Sequence, residues 1–196
     1  MYFLELSHND LLEEVLDKLR ESDRDKLLKA YGMALRAHEW RGQRAFNLAR
    51  GEGSPPIDHP VRVMYSLYKE QNVRSAEILA AALLHDVLEV SDIEKAEIEA
   101  EFGAQIASWV ELLTRKKGID RKEYAMKIKE APYEVFLIEM AARLDNLRTA
   151  HRKNQSLQPY FNETHNHYLL FGEHRSKEHP SLRVYTDAMR MMMEGD

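Results

Sequence analysis

Three observations predict an all-α fold. Apolar residues recur at helical spacing in one segment after another. Capping residues, glycines and prolines divide those segments at regular intervals. No stretch alternates as a strand would, and there is no internal repeat. The chain of 196 residues is long enough to bury a core. It reads as one domain over 1–196, with its core at about 24–152, an N-terminal helix and a C-terminal helical extension. A hydrophobic content of 44% with 31% charged residues suits a soluble globular protein. No apolar run approaches a membrane span, and the N-terminus lacks a basic leader, so neither membrane insertion nor secretion is expected. The chain has no cysteine, which excludes disulfides, thiolate metal sites and cysteine nucleophiles and agrees with a cytoplasmic location. With 28 basic and 33 acidic residues the net charge is −5, a poor balance for general nucleic-acid binding. An anionic ligand would need locally concentrated basic groups.

Asn9 or Asp10 can cap a first helix over Leu11–Arg20 whose apolar face is Leu11, Leu12, Val15, Leu16 and Leu19. Ser22-Asp23 caps a second, about Arg24 to Asn47, with Leu27, Leu28, Tyr31, Leu35 and His38 along it. Gly51-Glu52-Gly53-Ser54-Pro55-Pro56 is a loop. Ile57-Asp58-His59-Pro60 opens a third helix, with Pro60 in the first turn, where its missing N–H costs little. A central helix starts near Ser75. Ser91 to Glu94 reads as a capping box for the next, which stops before Gly103. Ala104–Lys116 is amphipathic and ends at Gly118. Lys122–Glu130 is short and stops at Ala131-Pro132. Glu134–Arg152 is apolar enough to be buried. The tail carries helices over about Tyr160–Phe171 and Leu182–Met193.

The central stretch carries the chemistry. Seven apolar residues, Ile78 to Leu84, run directly into His85-Asp86. A helix with no polar face is buried on all sides, and an imidazole beside a carboxylate at its end needs a partner. Imidazole nitrogen and carboxylate oxygen both suit a divalent transition metal; a buried, hydrogen-bonded His–Asp pair is the other reading. If the helix continues, His85 and Glu89 share a face.

His59-Pro60, then Ala82-Leu83-Leu84-His85-Asp86 with Glu89, then Glu101 to Gln105, then Arg143-Leu144-Asp145-Asn146-Leu147-Arg148-Thr149 resemble the motifs of the HD-domain phosphohydrolases. Within them the chain is similar to the small stand-alone RelA/SpoT-type guanosine alarmone hydrolases, over about Leu27 to Arg152. The resemblance implies an HD-domain helical bundle and a manganese ion held by His59, His85, Asp86 and an Asp of the last motif. It also implies catalysis by a Glu-Asp pair after the His-Asp, and hydrolysis of the 3′-pyrophosphate of a guanosine nucleotide. The expected partner is a small nucleotide or phosphoester, with a homo-oligomer left open.

The sequence departs from the pattern at two acids. The metal-binding Asp of the last motif falls on Ala142, and the second acid of the catalytic pair on Val90. Glu89 remains as the catalytic candidate. Asp145, three residues after Ala142, can stand in as a fourth ligand or be an ordinary polar residue. The segment from His38 to His59 is longer than the family pattern, so the base-stacking residue is Arg44 or Arg50. Asn146 and Arg148 are candidate substrate contacts; a buried, hydrogen-bonded asparagine is the alternative for Asn146. His38 reads as a core histidine, Lys116 and Lys117 as solvated. The tail histidines 165, 167, 174 and 179 read as surface residues, and Met191-Met192-Met193 as core or interface. The functional alternative to an enzyme is a degenerate domain that holds a nucleotide or partner protein without turnover.

Overall fold

A computed structural model describes residues 6–45, 57–152 and 158–194, and every element among them is helical. The chain forms two compact units, Met1–Lys116 and Lys117–Asp196.

In the first unit, α1 spans His8–Leu16. Its cap is Ser7, not Asn9 or Asp10. The Ser7 hydroxyl accepts from the Asp10 N–H, and the Asp10 carboxylate accepts from the Ser7 N–H, a reciprocal box that starts the helix earlier than expected. Leu11, Leu12, Val15 and Leu16 are buried as predicted, and α1 packs on α3. Helix α2 spans Glu21–Ala45, so Ser22 and Asp23 lie inside its first turn and do not cap it. Its buried residues are Leu27, Ala30, Met33, Ala34, Ala37 and His38, while Leu28 is exposed, so the inward face is rotated from the one the large apolar residues suggested. Half of them are alanines, and α2 packs on α4.

Helix α3 spans Asp58–Glu70, with His59 and Pro60 in its first turn. Helix α4 spans Ala76–Leu84, and the Ser75 hydroxyl caps it by accepting from the Ile78 N–H at 3.3 Å. Leu79 through Leu84 are all fully buried among α2, α3 and α7. Burial of each leucine stabilises the fold by about 1.5–3 kcal/mol. The helix stops at Leu84, and a separate turn, α5, spans Val87–Val90. Helix α6 spans Lys95–Phe102 and is capped by Glu94 with Glu97, not by Ser91. The Ser91 hydroxyl instead donates to the Val87 carbonyl at 2.9 Å and accepts from the Ile93 N–H at 3.2 Å. Gly103, at φ 87°, joins α6 to α7, Ala104–Leu113. Helix α7 ends before Lys116, where Thr114 turns extended and its hydroxyl donates to the Val110 carbonyl at 2.7 Å.

In the second unit, α8 spans Arg121–Glu130, capped by the Asp120 side chain, which accepts from the Glu123 N–H at 2.8 Å. Helix α9 spans Tyr133–Arg152. The expected helix around Tyr160–Phe171 is divided into α10, Gln158–Thr164, a π-helical turn, His165–Leu169, and α11, Leu170–Arg175. The wider turn inserts Tyr168 and Leu169 into the core. A 3₁₀ turn, Pro180–Leu182, leads into α12, Arg183–Glu194. Met191 is 74% exposed and is not core. His165 and His174 are exposed, while His179 stacks on Tyr133 with ring centroids 3.8 Å apart.

Candidate metal centre

The interruption between α4 and α5 is what presents the His-Asp pair. His85 is the last α-helical residue in backbone angle, at φ −58°, ψ −28°. Asp86 sits at φ −112°, ψ 0°, near the sparsely populated bridge region where many active-site residues lie. The helix therefore does not run through to Glu89, and the shared face expected for His85 and Glu89 is broken. The α5 turn is held instead by Glu89 and Val90 N–H groups donating to the Asp86 carbonyl, at 2.9 and 3.2 Å.

His85 is buried, and its Nδ1–H donates to the Ala82 carbonyl at 2.8 Å. A carbonyl only accepts, so this bond puts the lone pair of a neutral ring on Nε2, the tautomer a metal ligand needs. His59, from the first turn of α3, meets His85 edge to face, with centroids 5.1 Å apart at 71°. Asp58 anchors that turn: its carboxylate faces His8 Nδ1 at 2.8 Å and the Arg62 guanidinium at 3.9 Å. Asp86 Oδ1 lies 3.1 Å from Nε2 of His38 on α2. Burial opposes ionisation of Asp86, but the fields of His85, His38 and His59 and the His38 hydrogen bond outweigh it. The carboxyl is held well below the usual carboxylate range.

Two imidazoles and one ionised carboxylate are thus neighbours within the first unit, the right donor chemistry for a divalent transition ion. Among the described residues no three His, Cys, Asp or Glu side chains are already gathered as a metal-binding group. Bringing all three donors onto one ion takes a side-chain adjustment. The donor set fits the metal that the resemblance implies.

Glu89 is exposed, and its carboxylate accepts the backbone N–H of Arg115, just past the end of α7. Val90, in place of the second acid, is buried. In the second unit, Ala142, Asp145 and Arg148 on α9 are buried, whereas Asn146 is exposed, which overturns the buried-asparagine alternative. Arg44 lies in the last turn of α2 with its side chain outside the described residues. Arg50 and the Gly51–Pro56 loop lie outside them entirely. The core reading of His38 holds for its burial but missed its bond to Asp86. The only sequence signal for that bond was a histidine on the inward face of α2. The Arg115 N–H on Glu89 had no sequence signal, because any residue supplies a backbone donor.

The HD domain family matches residues 30–175, and the chain belongs to that family. Among its relatives are the small guanosine-3′,5′-bis(diphosphate) 3′-pyrophosphohydrolases. The MESH1 enzyme of Homo sapiens is 36% identical over 135 residues, covering 67% of this chain and 73% of that one. The guanosine-3′,5′-bis(diphosphate) 3′-pyrophosphohydrolase of Vibrio cholerae is 36% identical over 151 residues, 71% of this chain but 20% of that longer protein. A solved structure of a metazoan ortholog of SpoT that hydrolyzes ppGpp aligns with a TM-score of 0.62 at 21% identity, covering 87% of this chain and 94% of that one. At that identity the match bears on the fold.

Proposed function

We propose that this chain is a metal-dependent phosphohydrolase acting on a nucleotide, with guanosine 3′,5′-bis(diphosphate) as substrate and its 3′-pyrophosphate as the group removed. The observation that carries the reading is the His59, His85 and Asp86 neighbourhood, with His85 pinned in the ligating tautomer. His59, His85 and Asp86 would hold the ion, manganese by family resemblance, with Asp145 as the candidate fourth ligand. A divalent ion there would supply Lewis acidity at a phosphoryl oxygen and make water more acidic. Glu89 takes the proton from the attacking water, its carboxylate steadied by the Arg115 N–H. Arg44 or Arg50 stacks on the base, Arg148 grips a phosphate and Asn146 contacts the substrate.

A second reading is favoured by Val90 and Ala142, both apolar and buried where the family pattern has acids: a domain that binds the nucleotide without turnover. Manganese-loaded protein incubated with guanosine 3′,5′-bis(diphosphate) and assayed for released pyrophosphate separates the two. Turnover supports the enzyme. Nucleotide binding without turnover supports the binding domain. No manganese retained after dialysis against excess metal rules out the enzyme. If turnover is found, Glu89→Gln is expected to lower it by about 10²–10⁴-fold, the usual value of general acid–base help, with manganese affinity unchanged. Wild-type rates in that variant would remove Glu89 from the base role.

A further inference from the structure

His38 has one polar contact among the described residues, and it is Asp86. The ring is 3% exposed on the inward face of α2. Its Nε2 meets Asp86 Oδ1 at 3.1 Å, across 48 residues of sequence. Its Nδ1 is buried and has no hydrogen-bond partner among the described residues. Leaving a buried polar atom unsatisfied costs about 1–3 kcal/mol. A position that needed only volume would be filled better by leucine or phenylalanine. The imidazole therefore has a polar task, and the carboxylate is the group it serves.

Asp86 needs that service. Its backbone lies in the break between two helices, and its side chain caps neither: no hydrogen bond runs from the carboxylate to the α5 N-terminus. An aspartate in such a turn has its carboxylate free to rotate about χ2, a broad and soft torsion. An ionised carboxylate only accepts, so the hydrogen in the His38 contact is on Nε2. Donation to Oδ1 fixes the carboxylate plane and leaves Oδ2 for another partner. Helix α2, with Ala34 and Ala37 buried, packs on α4, with Ala80 and Ala81 buried, and that packing sets where the donor stands.

We propose that His38 is a positioning residue that orients the Asp86 carboxylate for metal ligation, acting from α2 through its Nε2–H. The inference rests on the reading of Asp86 as a ligand. Outer-shell partners of metal ligands typically change metal affinity 10–100-fold when removed.

Manganese affinity measured by calorimetry on the full chain tests it, in wild type, His38→Phe, His38→Gln and Asp86→Asn, each checked for folding by circular dichroism. His38→Phe is expected to weaken binding by about 10–100-fold. His38→Gln, whose side-chain amide can donate from near the Nε2 position, is expected to retain most of the affinity. Wild-type affinity in folded His38→Phe, with affinity lost in Asp86→Asn, overturns the positioning role and leaves Asp86 a ligand. Equal loss in the Phe and Gln variants also overturns it, since packing and not donation would then be the cause. If wild type binds no manganese, or Asp86→Asn binds as well as wild type, the ligand reading falls and the proposal with it. Should His38→Phe not fold, long-range ¹H–¹⁵N correlation on metal-free wild type decides: a hydrogen on Nε2 supports the donor role, and a bare Nε2 overturns it.

Discussion

Gly103 shows how a single residue sets the course of the chain. It lies at φ 87°, ψ 163°, a region open essentially to glycine alone. A Cβ there would meet nothing within 4 Å, so the cost of adding one is backbone strain and not a clash. Gly103→Ala is expected to destabilise the fold by about 1–3 kcal/mol, read as a lower chemical-denaturation midpoint with an unchanged slope. No loss would mean that the α6–α7 joint relaxes to another backbone. Sequence reading placed a helix end at this glycine correctly. It misplaced the caps of α1 and α6, because several residues near each start could cap and the choice fell to whichever reciprocal pair formed, Ser7 with Asp10 and Glu94 with Glu97.

At the scale of elements, the second unit is tied together by a buried charged network. Tyr124 donates to Glu139 at 2.9 Å; Arg143 pairs with Glu139 at 2.8 Å and with Glu163 at 3.0 Å. The Arg143 guanidinium also lies 3.5 Å from the centre of the Tyr168 ring, and Arg121 reaches Glu163 from α8. Removing one partner of a buried ion pair strands the others, so Arg143→Ala is expected to cost about 3–5 kcal/mol. Burial resists ionisation of Glu163, but Arg143 and Arg121 outweigh it and lower its carboxyl below the ordinary value. A lowered folded pKa means the unfolded chain binds the proton more readily. The contribution of Glu163 is therefore complete at neutral pH and is lost as pH falls below the ordinary carboxylate range. Thermal melts across that range should show a steeper acid loss in wild type than in Glu163→Gln; parallel curves would remove Glu163 as the cause. Arg143 was visible in the sequence only as a motif position. Its partners come from the same face of α9, from α10 and from the π-helical turn, and no local pattern announces them.

At the scale of the molecule, a metal held only by the folded state must stabilise it by mass action. Manganese at about 100 times its dissociation constant adds about 2.7 kcal/mol. Wild type is expected to melt higher with manganese than with chelator, and His85→Ala to lose most of that difference. An identical response in both would show that the ion binds elsewhere. Among the described residues no helix is long and apolar enough to cross a membrane.

The sequence by itself determined the all-α class, the order of the helices and the residue types of the candidate site. Those follow from local physics: apolar period, Gly and Pro breaks, and the donor atoms of His and Asp. Only the tertiary structure decided that α4 stops at Leu84 and so turns His85 and Asp86 out of a regular helix. It alone paired His38 with Asp86 and the Arg115 N–H with Glu89. These contacts join residues 48 and 26 positions apart. They depend on how α2 packs on α4 and on where α7 ends, and a linear pattern carries no term for either.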